Sequence, residues 1–171
     1  MKDENLIVNA RKMTDFLGNT YEYECMGCSI EKGEIIPPGG IIYKDEYFIL
    51  AQDPEIPIDG FIIINSRRHI NSFTEMTKEE RNSFIELLYK SEKAIKDLNI
   101  AEKVTIVQEE RSKHLHVWIF PHNDWMNEKF GKGISYLRDI CAYAQEHATK
   151  DDKDKILYDV NRIREYIDEI K

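Results

Sequence analysis

His114-Leu115-His116-Val117-Trp118-Ile119-Phe120-Pro121 sets two histidines between apolar residues and then runs apolar to a proline. A strand over residues 115–120 turns residues two apart to the same side, so His114, His116 and Trp118 share one face, and Pro121 is expected to end the strand. Outward from it, residues 104–108 read as a partner strand across the short polar connection Glu109-Glu110-Arg111-Ser112-Lys113. Upstream, Thr77-Lys78-Glu79-Glu80 is a capping box, and Phe84, Leu87, Leu88, Ile95 and Leu98 recur behind it on one helical face. That pattern predicts a helix of roughly five turns to Leu98, lying across the sheet. Before it, a turn-rich segment from Cys25 with Gly33 and Pro37-Pro38-Gly39-Gly40 leads into residues 41–43, 47–51 and 61–64, which read as three strands of an antiparallel meander, with Asp59-Gly60 as a turn signal. The sum is an α+β fold, a five-stranded antiparallel sheet with one long helix packed on it.

The two ends read as additions to that core. Residues 1–24 carry Leu6, Met13, Phe16 and Leu17 ahead of Gly18-Asn19, which suits a short helix on the outside. Beyond Pro121, Ile134, Leu137, Ile140, Cys141 and Ala144 mark one helical stripe, and Ile156, Val160, Ile163, Ile167 and Ile170 mark a second with 4-3-4-3 spacing. The second seam is too short for a free-standing coiled coil, so it is expected to pack on the core or on a second subunit. The organisation read is an N-terminal extension over 1–24, a core domain over 25–125 and a C-terminal helical extension over 126–171.

The 171 residues carry a formal charge of −8, which speaks against a duplex nucleic acid as partner. Apolar runs such as residues 61–64 fall far short of the ~18 residues of a membrane span, and Met1-Lys2-Asp3-Glu4-Asn5 lacks an apolar signal region. A cytoplasmic protein with no membrane partner is the expectation. Three cysteines, Cys25, Cys28 and Cys141, do not make a disulfide framework, and the Cys25-x-x-Cys28 pair points to a metal or redox role.

The string His-x-His-x-Trp-x-x-Pro over 114–121 resembles the hallmark of the histidine-triad (HIT) family, His-x-His-x-His followed by two apolar residues and often proline. Here Trp118 stands where the third histidine would, at a position where the related uridylyltransferases and diadenosine tetraphosphate phosphorylases have glutamine. Cys25-x-x-Cys28 with Ile30 and Gly33-Glu34, Tyr43-Lys44-Asp45, and Asp53 sixteen residues before His69 with Gly60 between them recur in that order in bacterial members. The resemblance covers about residues 25–125 and is to the diadenosine polyphosphate hydrolase-like members.

It implies a nucleotide substrate, such as diadenosine tetraphosphate or a nucleoside phosphoramidate, attacked at the α-phosphorus by His116 to give a nucleotidyl-histidine. Imidazole suits this, being a good nucleophile and, once nucleotidylated, a good leaving group. The main-chain carbonyl of His114 is expected to hold the other ring nitrogen of His116. Asp53 matches the acidic residue that binds ribose hydroxyls, against the plainer reading of a turn residue in Asp53-Pro54. Trp118 cannot shuttle a proton but its indole N–H can donate to a phosphate oxygen. Gln108 sits near a substrate-binding asparagine of relatives. Arg111 or Ser112 take the place of a glycine-glutamine segment that touches the leaving group, against the reading of a solvated turn. Arg67 and Arg68 are either an attraction for an anionic substrate or a solvated strand end.

Cys25, Cys28, His69 and His114 offer the donor set of a closed structural zinc site, as several bacterial relatives have, and Gly33 to Gly40 argues against the long helix that a redox motif needs. A His114 engaged in this way leaves His116 as the working imidazole. The resemblance further implies a homodimer through the long helix and an edge strand. A nucleotide-binding adaptor on the same fold, with turnover lost through Trp118, is the alternative to the enzyme. A third reading is a zinc-stabilised interaction module.

Overall fold

The computed structural model describes residues 10–170. Its centre is a five-stranded antiparallel sheet built from β3 (Ile41–Lys44), β4 (Phe48–Gln52), β5 (Ile62–Ser66), β6 (Lys103–Gln108) and β7 (His116–His122). The spatial order is β3-β4-β5-β7-β6. The first three strands form the expected meander. Helix α2 (Lys78–Asp97) then carries the chain over one face, and the β6–β7 hairpin returns so that β7 lies inside and β6 on the edge. Thr77 and Glu80 close the expected capping box reciprocally, Glu80 N–H to Thr77 Oγ1 at 3.1 Å and Thr77 N–H to Glu80 Oε2 at 2.7 Å.

Both faces of the sheet are covered, which is why β4 and β5 read as continuous apolar runs. On one face Phe48, Leu50, Ile62, Ile64 and Ile119 pack with Leu87, Ala94 and Ile95 of α2 and with Ile156, Val160, Ile163 and Ile167 of α5 (Lys150–Glu169). The 4-3-4 seam therefore packs on the core of its own chain. The turn 37–40 comes so close to α5 that a Cβ on Gly39, where φ is +78°, would lie 2.7 Å from Val160 Cγ1. On the other face Phe61, Ile63, Trp118 and Phe120 meet Met126 of α3 (Asp124–Phe130) and Leu137, Ile140, Cys141 and Ala144 of α4 (Leu137–His147). Ile134 leaves that stripe: it starts a short 3₁₀ turn and is exposed.

Three expectations are corrected. The described part of the N-terminal segment is a hairpin rather than a helix, β1 (Arg11–Thr14) pairing with β2 (Thr20–Tyr23), while Leu6 lies outside the described residues. Its turn is made by Asp15, whose Oδ1 accepts the N–H of Leu17 and of Asn19 at 2.9 and 2.8 Å. Met13 tucks under it against Ile30, Ile35 and Ile49, whereas Leu17 is exposed. A six-residue helix, α1 (Met26–Glu31), follows Cys25 at the head of the segment expected to be turn-rich. Pro121 does not end its strand: β7 runs on to His122, with Pro121 opposite Val104. The pairing of β7 with β5 stops at Ile119, so Pro121 sits where one neighbour is gone and a missing N–H costs the ladder little. Among the described residues no helix is long and apolar enough to cross a membrane.

Candidate functional site

A cleft of about 490 Å³ opens on the sheet face opposite α2, a size ordinary for a small-molecule site. The register sets its floor: His116 lies opposite Asn65 and Trp118 opposite Ile63, with Ala51 beyond. Asn65 was not singled out from the sequence, because its place beside His116 depends on pairing between strands about fifty residues apart.

His116 Nδ1 lies 3.0 Å from the main-chain oxygen of His114. A carbonyl only accepts, so Nδ1 carries the proton and Nε2 is left with its lone pair. Ser112 steadies this acceptor from both sides, its hydroxyl donating to His114 O and accepting the His114 N–H, each at 3.1 Å. Ser112 thus acts on the backbone of His114 even though it lines the cleft.

The side chain of His114 turns the other way. Its Nε2 is 2.6 Å from Ser66 O, which fixes that nitrogen as the donor and frees Nδ1. Burial, with His69 and His116 nearby, holds this imidazole below the ordinary histidine range and so neutral. Nδ1 faces Cys25 Sγ at 3.3 Å, Cys28 Sγ at 3.5 Å and His69 Nδ1 at 3.3 Å, and His69 Nδ1 lies 3.5 and 3.2 Å from the same two sulfurs. A tetrahedral zinc with Zn–N near 2.0–2.1 Å and Zn–S near 2.3 Å has edges of about 3.4 Å between nitrogens and about 3.6 Å between nitrogen and sulfur. These four residues fit that group. Helix α1 brings the sulfurs together, Cys25 as its N-cap and Cys28 in its first turn. Gly27 between them is required by space, since a Cβ there would lie 2.6 Å from His114 Cδ2.

Asp53 lines the cleft and closes the turn after β4, Oδ1 accepting the N–H of Glu55 at 2.8 Å and of Ile56 at 2.7 Å. The turn role is therefore present, with the second carboxylate oxygen left over. Burial pushes this acid up to about 7, against the two N–H bonds. Between about pH 4 and 7 the folded chain thus holds more protons than the unfolded one, so stability from this residue falls as pH rises through that window. Asp53→Asn keeps an acceptor for the turn and removes the buried charge. It is expected to stabilise the chain at pH 7–8 by up to about 4 kcal/mol and to change little at pH 4, measured by denaturant melts across pH. Asp59, which burial also pushes up to about 7, titrates in the same range, so the pH slope is reduced rather than abolished.

The remaining expected residues divide. Trp118 is buried, edge-on to Phe61 at 5.2 Å, with the guanidinium of Arg138 over its ring at 5.0 Å. Arg111 lines the cleft. Gln108 does not: it pairs with Val117, on the face away from His116, and is exposed. Arg67 and Arg68 are tied to Glu31 and Glu80, each at 2.8 Å. Arg138 and Glu109 join the cleft without having been expected there. Arg138 comes from α4, outside the span of any motif.

Residues 36–125, just over half of the chain, match the HIT domain. Solved structures with the same fold include a hypothetical histidine triad nucleotide-binding protein from Sulfolobus tokodaii, 20% identical with a TM-score of 0.59 over 84% of this chain and 92% of that one. A HIT family member from Bacillus subtilis is 19% identical, with a TM-score of 0.55 over 82% and 96%. A zinc-bound histidine triad family protein from Mycobacterium smegmatis is 15% identical, with a TM-score of 0.55 over 81% and 94%. No curated protein matches.

Proposed function

Since the chain belongs to the HIT family, we propose that it is a nucleotide hydrolase or nucleotidyl transferase working through a nucleotidyl-His116 intermediate. The observation that carries this reading is the 3.0 Å approach of His116 Nδ1 to His114 O, which leaves Nε2 as a nucleophile at the cleft floor. Nε2 attacks the α-phosphorus, the bond from phosphorus to the leaving group breaks, and its electron pair departs with the leaving atom. The positive charge that develops on the ring is stabilised by Nδ1–H donating to His114 O. Water or another acceptor then attacks phosphorus, losing a proton to solvent as the P–N bond returns its pair to Nε2. Asp53 is the group proposed for the ribose hydroxyls.

Cys25, Cys28, His69 and His114 are proposed to hold a structural zinc, which would fix α1 against the start of β7 and take no part in the chemistry. The homodimer is likewise a proposal, supported by Ile85 and Tyr89, each 60% exposed on α2, and by exposed Ile106 on edge strand β6. Sedimentation equilibrium at micromolar concentration is expected to give the mass of two chains. A mass near 20.2 kDa defeats the dimer.

The test of the enzyme is intact-protein mass spectrometry at neutral pH, seconds after mixing with diadenosine tetraphosphate or adenosine phosphoramidate. A nucleotidyl adduct is expected. Protein that binds the nucleotide but gives neither adduct nor product supports the second reading, a nucleotide-binding protein without turnover, which Trp118 in place of a histidine favours.

A further inference from the structure

We infer that Arg138, with Arg111, forms a clamp for the phosphates of the leaving group, and that Glu109 occupies this clamp while the cleft is free of nucleotide. The inference rests on the nucleotidyl-transfer reading for its substrate and on the following geometry for its site. Glu109 Oε1 receives both cations, Arg138 at 2.8 Å and Arg111 at 3.2 Å. The carboxylate is largely buried, its side chain 12% exposed, whereas the arginine side chains are 52% and 72% exposed. All three line the cleft that holds His116. A guanidinium carries five N–H donors, so one ion pair each leaves both arginines with donors to offer, and their planar geometry matches phosphate as it matches carboxylate. A carboxylate held between two guanidiniums thus stands where a phosphate could be held.

Trp118 gives the clamp its place. The Arg138 guanidinium lies 5.0 Å above the Trp118 ring, and Trp118 shares the strand face of His116 two residues on. The side chain at position 118 therefore supplies a platform for a cation rather than an exchangeable proton. That exchange has a chemical consequence. An amine expelled from phosphorus needs a proton as the P–N bond breaks, whereas a phosphate oxygen, whose acid has a second pKa near ~6, leaves as the anion. The charge it carries away is the charge two guanidiniums stabilise. Substrates whose leaving group bears its own phosphates are the class this cleft favours. Because α4 lies beyond residues 36–125, this half of the site comes from outside the HIT match.

Calorimetry with inorganic tripolyphosphate tests the clamp without turnover. The wild-type chain is expected to bind it, Arg138→Gln to weaken binding at least 10-fold, and Glu109→Gln, which removes the competing charge while keeping an acceptor, to tighten it. A carboxylate that merely positioned the arginines would move the last result the other way. With the active enzyme, the ratio of kcat/KM for diadenosine tetraphosphate over adenosine phosphoramidate is expected to fall at least 10-fold in Arg138→Gln and less in Arg138→Lys. Absence of tripolyphosphate binding to the wild type, equal affinity in Arg138→Gln, or weaker binding in Glu109→Gln overturns the clamp. Arg138-dependent binding in a protein that forms no adduct overturns the nucleotidyl-transfer reading and leaves the anion site standing.

Discussion

Alanine in place of His116 is expected to abolish the nucleotidyl adduct and to lower turnover by about 10³-fold or more, the scale on which enzymes lose rate with their nucleophile. The expectation has a structural warrant. His116 is half-buried at the start of an interior strand, and among the described residues its side chain bonds only the neighbouring backbone, so removing the ring deletes the proposed nucleophile without opening the core. The variant should melt near the wild type and still bind nucleotide, since Asp53, Trp118 and the arginines remain. Single-turnover kinetics with mass detection would read both parts. An adduct that survives in His116→Ala moves the nucleophile elsewhere in the cleft and removes the basis for the mechanism.

Loss of the metal centre should show the largest effect on stability. Structural zinc sites contribute folding free energy outright, and zinc on the proposed Cys₂His₂ set would tie α1, the segment after β5 and the approach to β7 to one point. Cys28→Ala, or exhaustive chelation of the wild type, is expected to cost about 3–5 kcal/mol and so to lower Tm by roughly 10–15 °C in a chain of this length. Elemental analysis of protein purified under reducing conditions should give one zinc per chain and close to none for the variant. A wild-type chain without metal, or a Cys28→Ala protein with the wild-type Tm and metal content, defeats the zinc proposal. Turnover should fall with the metal as well, because the residue that would lose its ligand bond, His114, also supplies the carbonyl that orients His116.

What could be read in the sequence and what could not follow from the range of each interaction. Helix α2 and the strands of the sheet are written in local signals: the capping box at Thr77, apolar residues at helical spacing, and apolar runs between turns. The proposed zinc ligands and His116 came through the family motif, and the geometry brings Cys25, Cys28, His69 and His114 together. The hairpin at 11–23 was missed because Met13, Phe16 and Leu17 look helical over so short a span, while the turn-forming carboxylate of Asp15 leaves only a weak mark. Helix α1 was missed because six residues carry no periodicity. Gln108 was assigned by its nearness to an asparagine position of relatives, and pairing with Val117 turns it to the other face. Asn65, Glu109 and Arg138 needed strand register or helix docking, which no local window contains. Whether Arg67 and Arg68 face an anion or solvent depends on the distant carboxylates of Glu31 and Glu80, which pair with them in the fold.

The covering of the sheet on both faces sets the smallest piece of this chain that can stand as a protein. Residues 36–125 contain every strand of the sheet, yet the helices that keep water from its two sides, α5 against Leu50 and Ile62 and α4 against Ile63 and Trp118, lie downstream of that span. A fragment trimmed to the matched region would bare two apolar surfaces and drop two of the four cysteine and histidine donors together with one wall of the cleft. Splicing boundaries for fusion or exchange therefore belong at exposed turn tips such as Leu17-Gly18, and the junction between core and C-terminal helices is a seam inside the fold rather than a place to cut.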